Sequence, residues 1–357
     1  MKQAAADRNT GILVSDDQGQ VLFSRHAEMP MIPASTLKIL TSLAALKHLG
    51  PDFRFFTRAA FDPINSNLYI QGMGDPLFVS EVIRDFCGQT AAAFDLRNVD
   101  NIIIDQGYFA TDITIPGTSQ TLNPYDATTG ALCANFNTIH FTRNPATGRL
   151  ESAESQTPLL EQFFPAIRRT GLSQGRILLD KSMRPLYPGL LMAHFFKDLG
   201  VDVTGPVILG TFPDPAPAVI SMTSPWTLDH VVEKLLQYSN NFIANQVMLA
   251  LGARIYGPPA TLEKGVLALT KTAGTLPGWN TAQIAEGSGI SRQNRVTPAQ
   301  MGTLLLAFMP HHRLLPSNGT QYYKTGTLTG IRNRAGYFMG TDGRLYPFVI
   351  MGSVPYF

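Results

Sequence analysis

The succession of local patterns along this chain predicts an α+β fold interrupted by a β-rich insertion. Residues 11–25, GILVSDDQGQVLFSR, place two short apolar runs around Asp16-Asp17-Gln18-Gly19, which is hairpin chemistry. A helical pattern follows over about 34–49, with Leu37, Leu40, Leu43 and Ala44 at three- and four-residue spacing and Gly50-Pro51 as the stop. Ser35 therefore falls in the first turn. From about 53 to 217 the texture changes to short β-like runs (NLYIQG, NIIID, GRILLD, GPVILG) separated by Pro, Gly and Asn clusters. One helix interrupts that region, at about 187–199, with Leu190, Leu191, His194, Phe195 and Leu199 on its apolar face. Pro213, Pro215, Pro217 and Pro225 mark a return linker. Helical patterns then occupy about 227–238, 241–251, 261–273 and 298–309, and strands at 335–339 and 345–352 close the chain.

Composition narrows the function classes. The 357 residues are 44% hydrophobic, with 28 Lys+Arg against 26 Asp+Glu and a net charge of +2. This is a core-forming chain, neither a disordered tail nor a small disulfide scaffold. So little excess charge argues against a nucleic-acid surface or a polybasic membrane patch. No apolar run reaches the roughly 18 to 20 residues of a membrane span, and the N-terminal MKQAAADRNTG lacks the h-region of a signal peptide. The chain reads as soluble, or as the mature part of an exported protein. Cys87 and Cys133 read as two buried thiols, with a single disulfide as the alternative.

Three short elements carry the chemistry: Ser35-Thr36-Leu37-Lys38, Ser239-Asn240-Asn241 and Lys324-Thr325-Gly326-Thr327, each pattern occurring once. Ser35 and Lys38, three apart on one helix, share a face, so the amine reaches the hydroxyl. This sets a nucleophile beside a base. The helix N-terminus disfavours a charged lysine and offers free N–H groups to an oxyanion, and a partly neutral lysine is a competent base. Read alone, Ser35 is better explained as a helix cap or a first-turn serine. Ser239-Asn240-Asn241 sits at a break between two helices, where Ser239 can pass a proton and the Asn241 amide can donate and accept; an Asn-rich cap is the bland alternative. Lys324-Thr325-Gly326-Thr327 reads as a strand edge whose glycine admits a ligand backbone and whose lysine and hydroxyls suit a carboxylate. Its bland alternative is a solvated edge lysine beside turn threonines. In order, the three match the signature shared by penicillin-binding proteins and class A β-lactamases, with Asn in place of Asp in the second.

Flanking residues sharpen the match. Ile32-Pro33-Ala34 before Ser35, Gly74-Asp75-Pro76, Asn123-Pro124-Tyr125-Asp126-Ala127, Phe242 after Asn241, the run GSGISRQNRVTP over 287–298, and Leu328 after Thr327 complete the pattern. Together they make the chain, from about 10 to 352, resemble the D-alanyl-D-alanine carboxypeptidase/endopeptidase family, the S13 peptidases that include penicillin-binding proteins of the type-4 kind. The separation of 201 positions between Lys38 and Ser239 is similar to the insertion such proteins carry. The resemblance implies a serine β-lactamase/penicillin-binding-protein-like domain, a five-stranded antiparallel sheet flanked by helices. Its expected extent is 1–52 and 218–357, with an inserted domain over 53–135 and 186–217 and a small one over 136–185. It implies Ser35 as acylated nucleophile, Lys38 as base and Ser239 as proton shuttle. Asn241 would hold the substrate amide. Lys324, Thr325, Gly326, Thr327 and Leu328 would bind around the terminal carboxylate, and the Ser35 and Thr327 amides would form the oxyanion hole. Asp126 and Arg292 would recognise the free end of a diaminopimelate-like side chain, although Asp126 also suits a turn.

The implied reaction is cleavage between two D-alanines of a peptidoglycan stem peptide, with D-alanyl cross-links as a second target. β-Lactams would be partners, and no metal or organic cofactor would be needed. Export to the periplasm or cell envelope follows from the substrate's location.

Departures from the family pattern are Glu286, where Asp is usual before the Gly-Ser-Gly segment, and a gap short enough to imply a reduced innermost domain. The chain also begins just before the first strand and stops just after the last, so one sheet face is expected to lack its terminal helices. The rival readings are a weakly catalytic peptidoglycan-binding module of the same fold, and a β-lactamase, which the long insertion argues against. Gly171-Leu172-Ser173-Gln174-Gly175 matches a nucleophile elbow, but its surroundings read helix then strand, the reverse of what that motif requires. The pair His311-His312 lacks the partners of a metal site.

Overall fold

The computed structural model describes residues 9–119, 126–216 and 218–353. The Asn123-Pro124-Tyr125 part of the insertion motif, Pro217 and residues 354–357 lie outside the described residues.

The hairpin β1 (Thr10–Ser15) and β2 (Val21–Arg25) opens the chain. A 3-10 turn at Ala34–Leu37 then runs into α1 (Lys38–Leu49), so Ser35 lies in the tight turn before the α-helix rather than inside its first turn. The middle region contributes β3 (Phe56–Asp62), β4 (Asn67–Gly72), α2 (Ser80–Phe94), β5 (Asn98–Val99), β6 (Asn101–Asp105), β7 (Thr138–Arg143) and β8 (Leu150–Ser152). It continues with α3 (Phe164–Arg169), β9 (Gln174–Leu178), α4 (Tyr187–Asp198), β10 (Asp202–Val203), β11 (Val207–Leu209) and β12 (Val219–Thr223). The return supplies α5 (Leu228–Tyr238), α6 (Asn241–Tyr256), α7 (Leu262–Ala273), α8 (Pro298–Phe308), β13 (Gln321–Leu328), β14 (Ile331–Met339) and β15 (Leu345–Ser353).

The two ends of the chain meet in one five-stranded sheet of order β13-β14-β15-β1-β2, antiparallel throughout. Its inner face buries Leu13, Ala335, Tyr337, Val349 and Met351 against the helices, in a core that includes Leu40, Leu235, Val247 and Leu304. Two helices lie at the centre of that core. Residues 38–46 of α1 and 242–253 of α6 are buried without a break, which marks helices enclosed on all sides. Both start at the same place, so Lys38 and Asn241, at their N-termini, are neighbours. The outer face holds a small cluster of Ile12, Val14 and Phe348, while Val21, Leu22 and Phe23 on the edge strand β2 are about half exposed, at 54%, 54% and 47%.

The middle region forms a mixed sheet of order β11-β6-β4-β3-β12 and a three-stranded sheet β8-β7-β9. It is β-rich as its texture indicates, but α2 is a 15-residue helix that the strand-like reading of 53–217 passed over. Its buried positions, Val82, Ile83, Phe86, Cys87 and Thr90, follow helical spacing. The signal is weak because one apolar face is completed by Cys and Thr and Gly88 interrupts it. α2 and α4 pack on this sheet, and Phe86, Ile104, Leu191, Phe195 and Phe196 share a second core with Phe141 and Ile177 of the smaller sheet and with Phe163, which precedes α3. Cys87 and Cys133 are both buried and free. Ser173 lies between α3 and β9, helix before strand, as its surroundings indicate. No described helix is long and apolar enough to cross a membrane.

Candidate active site

Ser35 is presented by a turn that its neighbours hold rigidly. Asn333, buried on β14, donates to the carbonyls of Ile32 (2.9 Å) and Pro33 (2.8 Å). The Thr36 hydroxyl donates to Pro33 O at 2.7 Å, and Ala34 takes the left-handed conformation, φ 48°, which a residue with a Cβ adopts at a cost. Strand β13 then lies directly on the turn. A Cβ at Gly326 would stand 2.6 Å from Pro33 O and 3.2 Å from Ser35 N. The glycine read as room for a ligand thus makes room first for the serine's own backbone.

Lys38 is fully buried, and its Nζ has three neighbours: Ser35 Oγ at 2.9 Å, Asn241 Oδ1 at 2.7 Å and the carbonyl of Ser288 at 2.7 Å. Two of these can only accept. A neutral amine would give both of its hydrogens to Asn241 and Ser288 and aim its lone pair at the Ser35 hydroxyl. Burial pushes the Lys38 ammonium down to about 7, the Lys324 charge lowers it further, and the Glu286 carboxylate raises it. Loss of water around the charge outweighs both neighbours. The helix-terminus field invoked from sequence is thus not needed to account for a lysine titrating near neutrality.

The middle element divides its work among three residues. Ser239 caps α5 in the left-handed region, φ 53° and ψ 35°. Asn240 caps α6, accepting from Ile243 N at 3.1 Å. Asn241, the first residue of α6, turns its amide oxygen to Lys38. Asn240 thus caps a helix while its neighbour Asn241 lines the cleft that holds Ser35. Ser239 is half-exposed two positions from Asn241, and the structure brings it into no side-chain hydrogen bond among the described residues.

Lys324 is buried on β13; its Nζ donates to the Thr325 carbonyl at 3.0 Å, and burial pushes it down to about 8. Thr325 and Thr327 alternate to the exposed side of the strand. A cleft of about 620 Å³ opens over Ser35 and Asn241, and Thr327, Leu328, Ser119, Asp126 and Arg292 also line it. The structure thus gathers Ser35, Asn241, Thr327, Leu328, Asp126 and Arg292 around one space. Lys38, Lys324, Gly326, Thr325 and Ser239 are not among its lining residues. Asp126 is buried and accepts from Ser119 N at 2.9 Å. Arg292 is exposed and donates to Thr329 O at 2.5 Å.

Sequence reasoning missed two participants. The Ser288 carbonyl is main chain and carries no residue-type signal. Glu286 appeared only as a departure from a family pattern, although an acid followed by Gly-Ser-Gly, with N–H groups free to turn inward, is itself a recognisable anion nest.

The chain is similar to known proteins along nearly its whole length. The model of the D-Ala-D-Ala carboxypeptidase 3 (S13) family matches residues 1–167 and 182–314, which include the first two motifs and Glu286. A D-alanyl-D-alanine carboxypeptidase of Actinomadura sp. (strain R39) is 25% identical over 416 residues, covering 94% of this chain and 76% of its own length. D-alanyl-D-alanine carboxypeptidase DacB of Haemophilus influenzae is 21% identical over 410 residues, 96% of this chain and 84% of its own. Among solved structures, penicillin binding protein 4 (dacB) of Haemophilus influenzae has a TM-score of 0.79 at 19% identity, covering 98% of this chain and 91% of that one. Bd3459, a predatory peptidoglycan endopeptidase from Bdellovibrio bacteriovorus, has a TM-score of 0.57 at 15% identity, covering 98% and 86%. These structures show that the fold is that of the penicillin-binding proteins. With the family model matched across most of its length, the chain belongs to the D-Ala-D-Ala carboxypeptidase 3 (S13) family and is a serine-type D-Ala-D-Ala carboxypeptidase.

Proposed function

We propose that this enzyme works through an acyl-enzyme on Ser35, with Lys38 as the base. The observation that carries this reading is the set of three contacts at Lys38 Nζ, two acceptors and one hydroxyl, on an amine that titrates near 7. Lys38 takes the Ser35 proton as Oγ bonds to the carbonyl carbon of the penultimate D-alanine. The oxyanion that forms faces the amides of Ser35 and Thr327, whose backbones the Gly326 contact holds together. As the intermediate collapses, the C–N bond breaks and the departing D-alanine amine receives a proton from the Lys38 ammonium through Ser239. Water then releases the acyl group. Lys324, with the Thr325 and Thr327 hydroxyls, supplies charge and donors for the terminal carboxylate, and Asn241 and Leu328 contact the peptide.

Asp126 and Arg292, which both line the cleft, are proposed as contacts for the stem-peptide side chain, an acid and a base that suit a zwitterionic end. The division proposed is a peptidase unit of 1–52 and 218–357, an inserted unit of 53–135 with 186–217 and a small one of 136–185; a cleft lined by the first two suits peptidoglycan stem peptides, cross-linked ones included. β-Lactams would enter the same cleft, and the substrate places the enzyme in the periplasm or cell envelope.

Intact mass after incubation with a penicillin tests the reading. One adduct of the whole penicillin mass, absent in Ser35→Ala, is expected, together with release of D-alanine from a peptide ending in D-Ala-D-Ala. Folded wild type that forms no adduct overturns it.

A further inference from the structure

The loop from Glu286 to Asn294 folds around one buried carboxylate. Glu286 is fully buried and accepts five hydrogen bonds: from Ser288 N (2.6 Å), Ser288 Oγ (2.6 Å), Gly289 N (2.7 Å), Asn294 Nδ2 (2.8 Å) and Ser291 N (3.3 Å). Asn294 is buried too and closes the ring by accepting from Ala285 N at 2.8 Å. Around that centre the loop is tied outward to both central helices. Thr41 of α1 donates to Gly287 O at 2.6 Å, and Asn245 of α6 accepts from Gly287 N at 2.8 Å. Gly289 sits at φ +83° with its Cα so close to the nucleophile's turn that a Cβ would stand 1.9 Å from Ala34 O. The loop reaches the reacting groups through the hydrogen bond of the Ser288 carbonyl to Lys38 Nζ, at 2.7 Å.

We infer that Glu286 is the positioning residue of the base. Its carboxylate folds the loop so that the Ser288 carbonyl occupies one hydrogen of Lys38, and its charge stabilises the ammonium formed when Lys38 takes the Ser35 proton. Glu286 touches no substrate; it acts through Ser288 and through its field. The inference rests on the reading of Lys38 as base and goes beyond it by assigning the counter-charge. The arrangement needs one. A buried ammonium produced in each acylation, with Lys324 as the charge facing it from β13, would otherwise be opposed on both counts. Glu286, on the loop, is the opposing negative charge. Five donors converge on this buried carboxylate.

The test is the pH dependence of penicillin acylation from about pH 5 to about pH 9 for the full chain and for Glu286→Gln, Glu286→Asp and Ser288→Ala, with melting temperatures alongside. Removing the negative charge lowers the affinity of Lys38 for its proton. Glu286→Gln therefore moves the acid limb to lower pH by at least about half a unit and lowers the plateau about tenfold or more. Glu286→Asp keeps the charge, so its limb stays with the wild type while its plateau falls less than that of Glu286→Gln. Ser288→Ala leaves the carbonyl in place but takes one donor from the carboxylate, strengthening its field at Lys38, so its limb moves to higher pH. Should Glu286→Gln fail to fold, this last variant still decides, since an unmoved limb overturns the inference. A folded Glu286→Gln with wild-type limb and plateau overturns it as well, as does an equal loss in Gln and Asp with no movement of either limb. Lys38→Ala separates the two levels of argument. If it acylates normally, the base reading falls and takes this inference with it; if it is inactive while Glu286→Gln is unmoved, the inference alone falls.

Discussion

Two buried lysines titrate far below their ordinary range, and the proposed mechanism asks for their charge states in opposite senses. As the proposed base, Lys38 has to be neutral, and burial pushes it down to about 7. As the proposed carboxylate anchor, Lys324 has to be charged, and burial pushes it down to about 8. Acylation by a penicillin should therefore rise as pH passes through about 7 and fall as pH passes through about 8, a narrow bell. Because each charge acts on the other, the two limbs belong to the pair. Stopped-flow acylation rates across this range check it: a rate that keeps rising above pH 9, roughly, would mean that Lys324 is not the carboxylate anchor.

At the scale of elements, the site depends on backbones in contact. β13 reaches the Ser35 turn because Gly326 has no Cβ, and the 286–294 loop reaches the same turn from the other side because Gly289 has none. Gly326→Ala inserts a methyl 2.6 Å from Pro33 O and 3.2 Å from Ser35 N. The turn has to move by several tenths of an ångström, and the relation between Ser35 Oγ and Lys38 Nζ moves with it. Acylation is expected to fall about 100-fold or more, with a folded protein by circular dichroism. A variant that acylates within a few-fold of wild type would show that the turn can shift without losing its alignment with Lys38. α1 makes the same point in another way. It starts at Lys38 rather than at Ala34, so the serine belongs to a tight turn and the lysine to the helix proper, and the pair is joined by the change of winding between them.

For the whole molecule, the insertion contributes one wall of the cleft, and its attachment is specific. Gln246, fully buried in α6, donates to Gly130 O at 2.5 Å and accepts from Gly130 N at 3.4 Å. This ties the segment that follows Asp126 to the helix that begins with Asn241. Gln246→Ala leaves both Gly130 groups without that partner, and a loss of about 1–3 kcal/mol is expected. It should also separate two activities. Acylation by a small penicillin, which needs the Ser35 turn, should stay within about threefold, whereas kcat/KM for a stem peptide with a free side-chain amine should fall about tenfold. Equal effects on both substrates would mean that the Asp126 wall takes no part in peptide binding.

What the sequence determined by itself about this protein is what local geometry governs. The three-residue spacing puts Lys38 beside Ser35 whatever surrounds them, Asn240 caps a helix because its side chain reaches two or three residues ahead, and the hairpin, most helix limits and the closing strands follow short-range patterns. Even α2 was legible in principle, had Cys87 and Thr90 been counted on its apolar face. Tertiary structure decided the rest. Whether Lys38 is charged depends on the water removed by α6, β13 and the 286–294 loop, which meet it from more than 200 residues away. The Ser288 carbonyl and the Glu286 charge gain meaning only when that loop lies against α1, and Asp126 and Arg292 come to line one cleft only because two distant parts of the chain meet there. Desolvation and field strength are properties of the packed interior, so no pattern of residue types along the chain could state them.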